Sequence, residues 1–334
     1  MAGEANQRMV EARGLARTFQ TRGGPVQAVA GVDFSIMAGE IVGFLGPNGA
    51  GKSTTQRMLS TLLAPTAGEA VVAGCDLRRD PVGVRRKIGY VAQGGMTNPR
   101  ALVDEELVLQ ARLYGLPAGE AARRAAQMRA RLDLADLGAR EVKTLSGGQK
   151  RRLDIALGLI HAPGLVFLDE PSTGLDPQSR SNLWRHIRGL RDELGTTVFL
   201  TTHYLDEADA LCDRILIIDH GKIVAEGTPD ALKRRIAGDL VVFSVGGEAS
   251  RARGLLARQP GVREAGEHDG TVRVTVERGE EGALPLMRAL DAAQIPVASM
   301  QIARPTLDDV FLTLTGHSLR DEPAQGARQH RGAS

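Results

Sequence analysis

The sequence predicts an α/β fold built on a largely parallel sheet, followed by a smaller α+β domain. Two observations place the first part. Apolar runs of strand length at 41–45, 165–168 and 197–200 lack polar alternation, which suits strands buried on both faces. Helix-forming stretches separate these runs, so βαβ units and parallel pairing follow. The third observation is a change of order after Gly238, where strand, helix, strand, strand, helix and strand succeed one another as in a small split-βαβ sandwich.

Each element has its own warrant. Residues 8–37 alternate in places and predict short antiparallel strands. The 41–45 run enters a glycine-rich turn, and a helix is predicted over 53–63. A strand is expected at 88–92. Residues 100–160 are almost all helix-forming, broken at Gly115-Leu116-Pro117 and around Gly138. A helix is predicted over 179–194, and a closing hairpin at 214–219 and 222–226 turns on His220-Gly221. Thr228 supplies a cap and Pro229 a first-turn proline for a helix at 230–235.

The second domain is expected to run as strand 240–245, helix 250–258, strands 261–266 and 271–276, helix 281–293 and strand 296–302. A last helix begins at Thr306, where Asp309 completes a capping-box arrangement. Leu307, Val310, Phe311 and Leu314 form its apolar stripe. This divides the chain into 1–236, 237–318 and a polar, disordered tail at 319–334. The two folded parts share no internal repeat.

Composition narrows the function. The net charge of +2 lacks the basic excess that nucleic-acid binding needs, and 3% aromatics cannot build base-stacking surfaces, so no nucleic-acid partner is expected. Cys75 and Cys212 lack metal-ligand spacing and suit a reducing compartment. The first twenty residues do not form a signal peptide, and the apolar runs fall far short of the roughly 20 residues that cross a bilayer.

The chemistry is concentrated in two motifs. Gly46-Pro47-Asn48-Gly49-Ala50-Gly51-Lys52-Ser53 follows a buried strand and precedes a helix. Its glycines let backbone N–H groups converge on a phosphate at the positive end of that helix. Lys52 reaches the β- and γ-phosphates, and the Ser53 hydroxyl is a Mg2+ ligand. The apolar run 165–168 ends in Asp169 and Glu170. Two adjacent carboxylates ending a buried strand imply a cation, because an unpaired buried charge costs several kcal/mol. Asp169 is placed to hold Mg2+ through water, with Glu170 facing the water that attacks the γ-phosphate. A nucleotide kinase still fits both motifs.

Leu145-Ser146-Gly147-Gly148-Gln149, with Ser146 standing 23 residues before Asp169, separates the classes. Over residues 8–230 the sequence resembles the ATP-binding cassette (ABC) family, with six motifs in order and spacing. The resemblance implies a P-loop NTPase cassette: a RecA-like parallel sheet core, an antiparallel β subdomain and a helical subdomain at about 94–158. It implies ATP and Mg2+ as cofactors. It also implies a dimer in which Ser146, Gly147, Gly148, Gln149 and Asp176 of one subunit close on ATP held by the other. Phe19, Gly46, Pro47, Asn48, Gly49, Ala50, Gly51, Lys52, Ser53, Thr54 and Asp169 would then bind ATP within one subunit, Phe19 where a tyrosine more often stacks on adenine. Gln93 corresponds to the hinge glutamine that meets Mg2+ and water, so Ser53, Gln93 and Asp169 form the metal set; Glu170, His203 and Gln93 form the catalytic set.

The segment Arg304-Pro305-Thr306-Leu307-Asp308-Asp309-Val310-Phe311-Leu312-Thr313-Leu314-Thr315-Gly316 resembles the tail of daunorubicin-resistance-type export ATPases. Their partner is an integral membrane permease subunit, which implies a peripheral place on the cytoplasmic face of the membrane. Many of those relatives carry a degenerate signature, whereas residues 145–149 here are intact. An import cassette would show the same core motifs. Chromosome-maintenance cassettes insert long coiled coils, but only 116 residues separate Ser53 from Asp169; translation-factor cassettes carry two cassettes per chain, and this chain has one.

Overall fold

The computed structural model describes residues 7–234, 239–268, 270–276, 279–303 and 306–315. The expected 236/237 boundary, the tail at 319–334, and Arg304, Pro305 and Gly316 of the tail motif lie outside the described residues. The chain forms two compact units that divide between Glu226 and Gly227.

The first unit begins with two long strands, β1 (Arg8–Thr21) and β2 (Gly24–Met37), paired antiparallel. They replace the several short strands expected. Register shifts near Gly14 and Gly31, both at positive φ, bend the pair without ending it. β3 (Ile41–Leu45) is fully buried and leads through the glycine loop into α1 (Lys52–Leu59). That helix stops four residues before the expected end: Thr61 has φ 64°, and the Leu62 and Leu63 amides bond back to Arg57 O.

β4 (Ala67–Val72), β5 (Cys75–Asp76) and α2 (Pro81–Lys87) follow in a stretch where no element was expected. Asp80 caps α2, with Pro81 at its first turn. Next come β6 (Ile88–Val91), α3 (Val103–Leu113), α4 (Ala118–Arg131) and α5 (Gly147–Leu159). The unit closes with β7 (Leu165–Asp169), α6 (Pro177–Leu194), β8 (Thr197–Thr202), α7 (Leu205–Leu211), β9 (Arg214–Asp219) and β10 (Lys222–Gly227).

The main sheet has the order β10-β9-β3-β8-β7-β6, and the pairs β9–β3, β3–β8, β8–β7 and β7–β6 are parallel. An antiparallel sheet, β2-β1-β4-β5, shares a core with it. Phe34 of β2 stacks near Phe44 and Phe199, with ring centroids 6.0 and 6.2 Å away. Each fully buried phenylalanine of this cluster contributes about 1.5–3 kcal/mol through burial. The joined sheets hold the glycine loop between fixed walls.

In the second unit, α8 (Pro229–Leu232) is capped by Thr228. β11 (Asp239–Val245), α9 (Ala249–Leu256), β12 (Val262–His268), β13 (Thr271–Val276), α10 (Gly279–Ala292) and β14 (Val297–Ala303) follow in the expected order. The strands form an antiparallel sheet β12-β13-β11-β14, whose inward residues Val241, Phe243, Val272 and Val274 meet Ala252, Leu256, Leu286 and Leu290 of the two helices. α11 (Leu307–Thr315) opens with the expected reciprocal cap between Thr306 and Asp309. Leu307, Val310 and Phe311 of its stripe are buried, and the helix touches α8.

Candidate functional site

Parallel strands carry their C-terminal ends to one edge of the sheet, and that edge is where such folds bind ligands. Here β3 delivers the glycine loop, β7 delivers Asp169 and Glu170, β8 is followed by His203, and β6 is followed by Gln93.

The loop is tightly enclosed. A Cβ on Gly46 would sit 2.2 Å from Ile218 O, and one on Gly51, at φ 107°, would sit 2.4 Å from Ala28 O. Only glycine fits either place. Lys52 is buried; its Nζ donates to Gly46 O at 2.6 Å and Pro47 O at 2.9 Å, and lies 3.9 Å from Glu170 Oε1. Ser53 Oγ donates to Asp169 Oδ1 at 3.0 Å. Ser53, Asp169 and Gln93 offer hydroxyl, carboxylate and amide oxygens, the hard donors that suit Mg2+.

Glu170 is the centre of the cluster. Its Oε2 accepts from Gln93 Nε2 at 2.8 Å and Thr173 Oγ1 at 3.1 Å, while His203 Nδ1 lies 3.3 Å from Oε1. Burial alone would raise its carboxyl pKa, but His203, Lys52 and the Thr173 hydroxyl bring it below the ordinary glutamate value. The Glu170 backbone sits at φ 44°. A left-handed conformation costs a non-glycine residue about 1–2 kcal/mol and collects at functional sites. Thr201 supports it: its Oγ1 donates to Asp169 Oδ1 at 2.7 Å and accepts from Glu170 N at 3.1 Å. Thr201 and Thr173 carry little signal in the sequence; a hydroxyl near the end of the neighbouring strand β8 is the one available for Thr201.

Two further predicted sets stand apart from this centre. Ser146 caps α5: Gln149 N donates to its Oγ at 3.3 Å, and Ser146 N donates to Gln149 Oε1 at 2.9 Å. Ser146 and Gly147 are exposed. Asp176 caps α6 by accepting from Ser179 N at 2.9 Å, and the Ser179 hydroxyl and amide hold its carboxyl below the usual aspartate value. The signature and this loop adjoin, since a Cβ on Gly148 would lie 3.1 Å from Ser179 Oγ. Phe19 is half-buried on β1, with the Arg17 guanidinium 4.7 Å from its ring centre. Gly46 to Thr54, Asp169, Glu170, Gln93 and His203 therefore occur at one sheet edge, whereas Phe19 and the 146–149 and 176 set lie outside their hydrogen-bonded cluster.

A phosphate-binding loop, a strand-end acid pair and a capped Ser-Gly-Gly-Gln helix on a parallel sheet define a nucleotide-hydrolysing cassette. Residues 29–173 match the family model described as ABC transporter, and residues 227–315 match the C-terminal domain of DrrA1-3-like ATP-binding proteins. The daunorubicin/doxorubicin resistance ATP-binding protein DrrA of Streptomyces peucetius is 41% identical over 96% of this chain and 97% of its own. The linearmycin resistance ATP-binding protein LnrL of Bacillus subtilis (strain 168) is 35% identical over 94% of this chain and 100% of its own. A dimeric post-hydrolysis structure of the cassette MJ0796 bound to ADP and Pi superposes with a TM-score of 0.61, at 27% identity, over 66% of this chain and 98% of that one. The chain belongs to the ABC transporter ATP-binding proteins, in the daunorubicin-resistance-type group. It is an ATP-binding cassette and an ATPase.

Proposed function

We propose that the chain powers export of a drug-like or hydrophobic compound through a separate integral membrane permease, working as a dimer on the cytoplasmic face of the membrane. The resistance proteins DrrA and LnrL, similar over nearly the whole chain, support the direction of transport. The dimeric MJ0796 cassette supports the assembly. No described helix is long and apolar enough to cross a membrane, so the passage for the compound is assigned to the permease.

The observation that carries the catalytic proposal is the convergence of Lys52, Gln93 and His203 on one carboxylate, Glu170. Lys52 and the loop N–H groups hold the β- and γ-phosphates, with Phe19 against adenine. Ser53, Asp169 and Gln93 would hold Mg2+, which supplies charge neutralisation on the phosphates when bound. Glu170, kept ionised by its neighbours, takes the proton of the attacking water; Gln93 orients that water, and His203 contacts the γ-phosphate side. Ser146 to Gln149 and Asp176 of the second subunit complete the phosphate's surroundings. Positioning and charge stabilisation then carry the in-line transfer.

The test is drug accumulation in cells expressing the chain with its permease. Lower accumulation with the parent chain, lost in Lys52→Ala, is expected. Export that persists in Lys52→Ala counts against ATP-driven transport by this subunit.

A further inference from the structure

Arg151 stands on α5 two residues beyond the signature, and it is only 7% exposed. Its guanidinium makes three hydrogen bonds. Nη1 donates to Ala92 O at 2.6 Å, Nη2 to Asp169 O at 2.8 Å, and Nε to Pro171 O at 2.8 Å. These carbonyls immediately flank the two water-side groups: Ala92 precedes Gln93, while Asp169 and Pro171 bracket Glu170.

One helical turn further, Asp154 accepts from Met96 N at 3.3 Å. α5 therefore grips the segment around Gln93 at both ends. Glu170, at φ 44°, occupies a conformation that persists only where surrounding bonds over-determine it. A guanidinium suits this task because its donors lie in one rigid plane; three of them used on two loops fix the spacing between those loops. The same helix begins at the exposed Ser146 and Gly147.

We infer that Arg151 is a positioning residue that holds Gln93 and Glu170 of its own subunit in register and ties them to the helix whose N-terminus closes on the partner's nucleotide. A shift of α5 on closure then moves the water-orienting pair, so each site's chemistry feels closure at the other. The inference rests on the roles proposed above for Gln93, Glu170 and Ser146.

Arg151→Met keeps an apolar stem without donors, and Arg151→Lys restores the charge without the fork. Phosphate release should fall on the order of tenfold to a hundredfold in Arg151→Met, the scale of a slightly misplaced catalytic group. KM for ATP should stay within about twofold, because the phosphate loop is untouched. Arg151→Lys should recover part of the loss. Sedimentation with ATP separates positioning from support of the signature: Glu170→Gln and Glu170→Gln/Arg151→Met should dimerise alike.

Unchanged turnover in Arg151→Met overturns the inference. So does loss of the ATP-dependent dimer in the double variant where Glu170→Gln alone retains it. Should Arg151→Met fail to fold by circular dichroism, the same kcat-against-KM split in Arg151→Lys decides. Normal turnover in Glu170→Gln is a different result, and it overturns the assignment of Glu170.

Discussion

Glutamine in place of Glu170 removes one charge and almost no volume. The two oxygens of the parent carboxylate have different neighbours: Oε2 accepts from Gln93 and Thr173, whereas Oε1 faces Lys52 at 3.9 Å and His203 at 3.3 Å. A glutamine carbonyl in the Oε2 place keeps the two neutral hydrogen bonds. Its NH₂ group then faces the lysine and the histidine, where the negative charge had been. The fold should lose about 1–3 kcal/mol, the cost of withdrawing a charged acceptor from buried partners.

Turnover should lose much more. Removing a general base costs about a hundredfold or more, and at about 1.36 kcal/mol per tenfold this adds about 2.7 kcal/mol to the barrier. ATP binding should survive, since Lys52 and the loop are intact, and the ATP-bound dimer should accumulate. The assays are phosphate release, fluorescent-nucleotide binding and sedimentation with ATP. Turnover within about tenfold of the parent would refute Glu170 as the base, and lost ATP binding would refute the separation of binding from chemistry.

The shared site predicts that Lys52→Ala and Ser146→Arg, each inactive alone, recover ATPase when mixed, since one site of the mixed dimer is intact; doubly tagged mixed dimers without activity would argue otherwise. Gly51→Ala places a Cβ 2.4 Å from Ala28 O at φ 107°. It should cost about 1–3 kcal/mol in denaturant unfolding and abolish ATP binding. The depressed Glu170 pKa contributes stability above the unfolded value, and that contribution is lost as pH falls through the folded value. Parent and Glu170→Gln unfolding curves should therefore converge only below about pH 4.5. A chain ending at Gly227 keeps β10 whole and should bind ATP, while forming dimers or permease complexes less well; unchanged assembly by sedimentation would make residues 228–334 dispensable for it.

Where one residue type at one spacing has a single physical use, the site was legible in the sequence. The glycine loop could be read because Gly46 and Gly51 tolerate no Cβ, and the acids at 169–170 because two carboxylates ending a buried strand need partners, which here include Ser53, Thr201, Lys52 and His203. The fold was legible where burial dictates composition, as in 41–45, 165–168 and 197–200. Residues 67–87 escaped because short strands and a seven-residue helix leave almost no period to detect. Arg151 and Thr201 escaped for another reason. Both act through backbone carbonyls and amides of distant segments, and no local pattern records which segments meet.

The central position of β3 also sets an order of events during synthesis. Both of its sheet neighbours, β8 and β9, come late in the chain; Gly39 N, just before β3, donates to Thr197 Oγ1 across 158 residues. Pairings this distant close slowly, because loop entropy is lost before the contacts form. The hairpin of β1 and β2 and the helices at 103–159 can take shape on local contacts alone. The phosphate loop is made early by the ribosome, after the Ala28 carbonyl that bounds Gly51, but its second wall comes only when residues near 218 arrive, since Ile218 O lines one side of Gly46. A nascent chain shorter than this carries the whole nucleotide motif without the carbonyl that bounds Gly46.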